Sequence, residues 1–381
     1  MRKIAVFTGT RADYGLLRLL ALAIEKSQEA NLALIVSGSH LSGPQGTSSG
    51  EIVRDGLEFA ATVPIWSGDD SRAGAAREVG EAIPRYHDAL AEIGPDVLVV
   101  LGDRLEAFAV ATAATIAGVP IAHIHGGEIT EGAMDDALRH AITKMSLIHF
   151  ASTEEHRRRI IQLGEHPDRV HFIGAPIVDA VAALRLPSRA EIEEQFGVHL
   201  DAPTALVTYH PAAMDVAPPL ELLDELLGGL MDVDELRVII TGSNTDIGNR
   251  AVRERIAEWV ASHRERVDYV ESFGQLGYLG AMSHAAVVAG NSSSVVLEAP
   301  VLGTPSILIG DRQQGRPLAN SVRVPSPKRA AIATSLAEAL LDESRVAEAA
   351  LFGTPGFADR ALRILLDADR LQPPRKAFYD L

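Results

Sequence analysis

The sequence contains no cysteine, which excludes disulfides, thiolate metal sites and a cysteine nucleophile at once. Aromatic residues are scarce at 5% although 47% of the chain is apolar, the balance of an Ala/Val/Leu-rich α/β enzyme. Positive charge is in deficit. Against 51 Asp and Glu stand 35 Lys and Arg, a formal net charge of −16, which disfavours non-specific attachment to nucleic acid or an anionic membrane. An anionic ligand would need a local group of arginines and helix N-termini. No run approaches the roughly 18 uninterrupted apolar residues of a membrane span, and MRKIAVFTGTRADYG at the N-terminus has a strand-length apolar run but no signal-peptide core. The expectation is a soluble, cytoplasmic protein with neither nucleic-acid nor membrane partners. GxGxxG, the Walker lysine and HExxH are all missing, as are fixed-period repeats. The triplets Asp232–Asp234 and Asp367–Asp369 lie in polar helix-end or helical stretches and read as solvated surface, so no metal is implied.

The richest stretch runs from Leu101 to His140. It holds the acids Asp103, Glu128 and Asp135, the histidines His125 and His140, and the arginines Arg104 and Arg139. Two apolar runs, DVLVVL and VPIAHI, deliver Gly102-Asp103-Arg104 and His125-Gly126-Gly127-Glu128. Short Val/Ile-rich runs ending in Gly and polar residues read as buried parallel strands followed by loops. Ligands of open α/β sheets bind outside the carboxyl ends of strands. One such charge would ordinarily cap a helix or sit on a solvated rim; two strand ends supplying acids, arginines and imidazoles together point to a site.

The same grammar runs through the chain. Lys3 to Thr8 is a strand, and the turn Gly9 to Gly15 feeds a helix reaching about Ser27, with Arg11 offering donors to an anion. Leu32 to Ser37 is the next strand, followed by a Gly/Ser loop from Gly38 to Gly50 in which His40 reads as a surface residue. Ala73 to Ile93 is a helix, Leu147 to Ala151 a strand, and Thr153 opens a helix with two glutamates in its first turn. After Pro187 the pattern restarts. Strands end in Tyr209-His210-Pro211, Gly242-Ser243-Asn244, Gly290-Asn291-Ser292-Ser293-Ser294 and Gly310-Asp311-Arg312-Gln313. Two successive strand–helix series predict an α/β protein of two Rossmann-like domains facing a cleft, 1–180 and 181–358, with a helix and tail at 359–381 packing back on the first. The serines could cap a helix and point hydroxyls and N–H groups at a phosphate, with Glu298 a turn further along on a ribose and Arg312 arriving from the next strand. Their bland alternative is an ordinary N-cap and a helix glutamate.

The motifs GTRADYG, GDRLEAFAVA, HIHGGEITEGAMDDALRHAITKM, STEEHRRRIIQLGE, GNSSS with Glu298, and GDRQQGR together resemble the hydrolysing UDP-N-acetylglucosamine 2-epimerases of bacterial sialic-acid synthesis. Relatives acting on UDP-N,N'-diacetylbacillosamine in legionaminic-acid synthesis are equally similar. The likeness extends from the first strand to the terminal AFYDL. It implies a glycosyltransferase-B-like pair of Rossmann domains, a UDP-sugar substrate, no cofactor, no metal, and a homodimer or homotetramer. It implies further that Arg11, His210, Asn244, Ser292, Ser293, Glu298 and Arg312 hold the nucleotide. Asp103, Arg104, Glu128, Asp135 and Arg139 would then face the sugar. Some members carry HIEGGE, whose first Glu is a proposed acid/base; this chain has His125 there, so His125, Glu128 or Asp135 takes that role, and His210 is a further candidate. The spacing from HGGE to Asp135 is one residue longer than in the HIEGGE type, which sets Asp135 against Asp136 for the aligned position. Val295 stands where relatives often have Gly.

The implied reaction removes the C2 proton while UDP leaves C1, giving a 2-acetamidoglucal, then adds water with the opposite C2 configuration to release free N-acetylmannosamine or its 2,4-diacetamido analogue. Rival readings are a non-hydrolysing 2-epimerase, a glycosyltransferase of the same architecture, and a non-catalytic nucleotide-sugar sensor.

Overall fold

The computed structural model describes residues 1–41, 49–65, 68–69, 71–131, 134–211, 217–243, 249–342, 345–367 and 376–381. The chain divides into two compact units, each with its own parallel sheet.

The first unit comprises Met1–Glu128, Met134–Ala182 and Phe352–Leu381. In order it contains β1 (Arg2–Thr8), α1 (Arg11–Lys26), β2 (Ala30–Ser37), α2 (Gly50–Arg54), β3 (Phe59–Val63), α3 (Arg72–Ile93), β4 (Val97–Leu101), α4 (Leu105–Ala117) and β5 (Ile121–Ile124). There follow α5 (Met134–Met145), β6 (Ile148–Ala151), α6 (Glu154–Gln162), β7 (Val170–Phe172) and α7 (Pro176–Ala183). The strand order is β3-β2-β1-β4-β5-β6-β7, all parallel. Alternate strand residues serve opposite faces. Ile4, Val6, Leu34, Val97 and Val99 pack with Leu17, Leu20 and Ile24 of α1, while Ala5, Phe7, Ile35, Leu98 and Val100 pack with Ala82, Tyr86 and Leu90 of α3 and Val110 of α4. Each Val, Leu, Ile or Phe among them contributes roughly 1.5–3 kcal/mol by leaving water. That two-sided burial is why the strands read as continuous apolar runs.

The second unit comprises Ile129–Ala133 and Ala183–Leu351. It contains α8 (Arg189–Phe196), β8 (Thr204–Thr208), α9 (Pro219–Met231), β9 (Arg237–Thr241), α10 (Asn249–Ser262), β10 (Val267–Val270), α11 (Gly274–His284), β11 (Val287–Gly290), α12 (Glu298–Leu302), β12 (Ser306–Leu308), β13 (Val322–Arg323) and α13 (Arg329–Leu341). Its order, β10-β9-β8-β11-β12-β13, is again parallel and repeats the arrangement of the first unit about its central crossover. Both are Rossmann-like sheets of the glycosyltransferase-B-like kind, with switch points between β1 and β4 and between β8 and β11.

The chain returns to the first unit at Phe352, where α14 (Phe357–Leu366) follows. Asp179 on α7 accepts the N–H groups of Gly356, Phe357 and Ala358 at 2.5, 2.9 and 2.8 Å, capping α14 from 177 residues away. Phe357, Ala361 and Leu365 then join the core beside α1.

Three local readings need correction. β3 and α2 were not anticipated, because FAATV is short and weakly patterned. His40 is fully buried, its Nε2 2.9 Å from Thr8 Oγ1, and is no surface residue. Ser293–Val295 forms a separate 3₁₀ turn, so Glu298 opens a new helix, α12, rather than continuing one begun by the serines.

Candidate active site

In the first unit, two strand ends and the start of a helix converge through one arginine. Arg139 on α5 is 1% exposed. Its guanidinium donates to the Glu128 carbonyl at 2.9 Å and to Asp136 Oδ1 at 3.3 Å, and pairs with Asp103 Oδ2 in a tight contact. Burial opposes the charge on Arg139, but the carboxylates of Asp103, Glu128 and Asp136 outweigh it, leaving its pKa above the ordinary value. The guanidinium thus joins the end of β4, the loop after β5 and the first turns of α5.

The HGGE loop is built around a buried carboxylate–imidazole pair. His125 Nδ1 meets Glu128 Oε1 in a short hydrogen bond, with both residues buried. Ser152 at the end of β6 donates to the same Glu128 oxygen at 3.1 Å and also bonds His156 Nδ1 at 2.8 Å. His125 Nε2 is buried with no hydrogen-bond partner among the described residues. The carboxylate on Nδ1 sets the tautomer, so Nε2 carries the lone pair. His125 also has φ +65°, a left-handed backbone costing a non-glycine residue on the order of 1–3 kcal/mol. Gly127, at φ +76°, lets α6 approach: a Cβ there would lie 2.4 Å from the His156 carbonyl oxygen.

Asp135 and Asp136 share the first turn of α5, both half-buried. Asp136 pairs with Arg139, and it also lies 3.5 Å from His140 Nε2. Burial, ahead of the Asp136 charge that opposes it, lowers the pKa of His140.

At the ends of β1 and β4, Arg11 is the first residue of α1 and Arg104 precedes α4, with its Nε 3.5 Å from Glu106 Oε2. Two acids here had no sequence-based role. Asp13 accepts from the Gly9 N–H at 3.3 Å, and burial pushes its carboxyl up to about 6 against the pull of Arg104. Glu106 lies beside it and raises it further. The one hint was the Thr10-x-x-Asp13 spacing, the helix cap in which Thr10 accepts the Asp13 N–H at 3.2 Å.

The second unit gathers a separate polar group at β8, β11 and β12. Asn291 is fully buried; its Oδ1 accepts the His210 N–H and its Nδ2 donates to the His210 carbonyl, both at 2.8 Å. Gln313 Nε2 donates to the Asn291 carbonyl at 2.9 Å, and Arg312 approaches the same oxygen at 3.4 Å. Ser292 caps the 3₁₀ turn with Ser293 half-buried behind it, and Glu298 is half-buried at the start of α12. Tyr278 bonds Ser294 Oγ at 2.8 Å and Thr208 Oγ1 at 3.0 Å, its phenol pushed up to about 12 by burial. His210, Ser292, Ser293, Glu298 and Arg312 are therefore carried by three adjacent strand ends. Asn244 lies outside the described residues. Asn291 and Gln313 stood in the GNSSS and GDRQ motifs without a role, because a side chain that clamps backbone leaves no periodic trace in sequence.

Among the described residues no group of three or more His, Asp or Glu is arranged to hold a metal ion, and no helix is long and apolar enough to cross a membrane.

The family model described as UDP-N-acetylglucosamine 2-epimerase matches residues 22–366. A Campylobacter jejuni protein named GDP/UDP-N,N'-diacetylbacillosamine 2-epimerase (hydrolyzing) is 33% identical over 83% of this chain and 82% of its own length. An Escherichia coli protein named polysialic acid biosynthesis protein P7 is 33% identical over 100% of this chain and 98% of its own. The fold is similar to that of the Methanocaldococcus jannaschii UDP-GlcNAc 2-epimerase in complex with UDP-GlcNAc and UDP. The TM-score is 0.78 at 19% identity, over 95% of this chain and 99% of that one.

Proposed function

Because the chain belongs to the UDP-N-acetylglucosamine 2-epimerase family, we propose that it is a hydrolysing 2-epimerase that converts UDP-N-acetylglucosamine and water to UDP and N-acetylmannosamine for nonulosonic acid synthesis. The observation that carries the reading is the buried His125–Glu128 pair beside the Arg139–Asp103 pair. Epimerisation at C2 needs one group to take a proton from one face of the sugar and another to return one to the opposite face. Nε2 of His125 and the Asp103 carboxylate are the two groups best suited, one set by Glu128 and the other by Arg139. In the first step the C2–H bond breaks, the proton passes to the base, and the C1–O bond to UDP breaks to give the 2-acetamidoglucal. In the second, water oxygen bonds C1 as one of its O–H bonds breaks and its proton passes to an acid–base group of the site, while a proton is delivered to C2 from the other side as the double bond closes. Asp135 and Asp136 at the start of α5 complete the acidic group.

In this reading the second unit binds the nucleotide. Ser292, Ser293 and Arg312 meet the diphosphate, where Arg312 offsets the charge that builds on the leaving group, and Glu298 takes the ribose. His210, held by Asn291, lies at the same switch point. Arg11 and Arg104 serve the anionic substrate from the ends of β1 and β4. Arg139 acts by positioning Asp103 and Glu128.

The names of the relatives support hydrolysis over simple epimerisation, and the Campylobacter jejuni protein favours a second substrate, UDP-N,N'-diacetylbacillosamine, which differs at C4 and C6. Product analysis with both UDP-sugars, run in D₂O, tests the reading. The expected result is UDP plus free sugar carrying deuterium at C2. Return of a UDP-linked epimer would make the enzyme non-hydrolysing, and product without C2 deuterium would exclude the glycal route.

A further inference from the structure

Residues 376–381 lie against the C-terminal end of α5, the helix that carries Asp135, Asp136, Arg139 and His140 in its first two turns. Lys376 Nζ donates to the carbonyls of Lys144 at 2.6 Å, Ser146 at 2.7 Å and Thr143 at 3.4 Å. A helix leaves its last carbonyls without intrahelical partners, and an ammonium there also meets the negative end of the helix dipole. The same Nζ pairs with Glu165 Oε2 at 2.7 Å, while Glu165 Oε1 receives Lys144 at 2.7 Å and Oε2 meets His149 Nε2 at 3.1 Å. Glu165 is 1% exposed and His149 is fully buried. Two residues on, the Phe378 ring occupies the space above Gly164, where a Cβ would come within 2.3 Å of it; Lys144 lies 4.9 Å from the ring centroid. The Tyr379 N–H donates to the Gly164 carbonyl at 2.9 Å and its ring stands edge-on to His166 at 5.1 Å.

The same end of α5 is tied to the Asp103 loop. Thr143 Oγ1 lies 3.2 Å from His123 Nδ1, and His123 Nε2 lies 2.7 Å from the carbonyl of Gly102, the residue before Asp103. Burial brings the His123 pKa down to about 3, so the imidazole is neutral. It therefore relays by donating to Gly102 and accepting from Thr143. Residue 139 is about 7.5 Å along the helix from residue 144, less than two turns from the pinned end.

We propose that Lys376, with the segment that carries it, is a positioning residue for the acid–base group: it pins the C-terminal end of α5 so that Arg139 stays on Asp103 and on the Glu128 carbonyl. The inference rests on the reading of Asp103, His125 and Arg139 given above. The last turn of a helix is where local opening begins, and here one side chain holds two carbonyls of that turn and the carbonyl of Ser146 just beyond it.

The test is Lys376→Met, with Lys376→Arg as the conservative variant, read by kcat, KM, UDP affinity and amide hydrogen exchange of α5. Lys376→Gln, which keeps amide donors without charge, replaces the Met variant if that does not fold. Lys376→Met is expected to lower kcat on the order of 10²-fold, with KM and UDP affinity within about twofold, and to speed exchange along α5; Lys376→Arg restores most of the rate. An unchanged kcat with a lowered melting temperature would overturn the proposal, reducing the segment to a stabilising strap. Should the parent enzyme yield no free sugar from either UDP-sugar, the functional reading fails by itself. The exchange data then still decide the clamp: unchanged α5 protection in Lys376→Met overturns it.

Discussion

Glu128→Gln separates a positioning carboxylate from an acid–base one. The substitution keeps the volume of a side chain that is 3% exposed and leaves the Arg139 bond intact, because that bond goes to the Glu128 backbone carbonyl. What it removes is the charge opposite His125 Nδ1. A hydrogen bond to a charged group contributes about 1.5–3 kcal/mol and a neutral one about 0.5–1.5. The protonated imidazole therefore loses on the order of 1–1.5 kcal/mol, close to tenfold in rate. If the glutamine instead turns its amide NH₂ toward Nδ1, the ring takes the other tautomer and loses its lone pair at Nε2. In a serine-protease triad the equivalent exchange costs about 10⁴-fold. The Glu128→Gln rate should therefore fall between roughly 10- and 10⁴-fold, with UDP affinity unchanged. The assay is UDP release under substrate saturation, with calorimetric titration of UDP on the same protein. A Glu128→Gln enzyme as fast as the parent, beside an inactive His125→Gln, would refute the idea that Glu128 sets the imidazole. Equal inactivity of both, with full activity on restoring pH-matched Glu128→Asp, would support it.

Arg312→Ala and Ser292→Ala should weaken UDP binding, the arginine by on the order of 1.5–3 kcal/mol; unchanged affinity in calorimetry would remove the diphosphate from these strand ends. Asp103→Asn and Asp135→Asn should each lose roughly 10²–10⁴-fold in kcat, and Asp136→Asn measured alongside decides which neighbour on α5 serves the reaction. Gly127→Ala forces a Cβ to 2.4 Å from the His156 carbonyl at φ +76°; with overpacking at about 1–3 kcal/mol, thermal unfolding should occur measurably lower, and an unshifted transition would contradict the close approach of α6. Burial alone would raise Glu165, but the hydrogen bond from His149 and the ammonium groups of Lys144 and Lys376 outweigh it and bring the carboxyl down to about 2 from 4.5. Its folded value is depressed, so its stabilisation is present above 4.5 and is lost as the pH falls toward 2. The difference in melting temperature between the parent and Glu165→Gln should therefore shrink across that window, and a constant difference would argue that Glu165 is not ionised in the fold.

The sequence by itself determined the two parallel-sheet series and where their polar strand-end loops fall. Buried parallel strands are continuous apolar runs, and VLVVL and IAHI stop where GDR and HGGE begin, so strand ends and their polar cargo are adjacent along the chain. Only tertiary structure decided the partners. Arg139 meets Asp103 across 36 residues, and Asp179 caps α14 across 177, pairings that depend on which strands and helices lie side by side. No local pattern records that His125 adopts φ +65°, that Asn291 clamps the backbone of His210, or that Lys376 closes α5. Periodicity reports which face of an element is buried. It carries nothing about single polar side chains, whose roles are set by what burial leaves them to bond with.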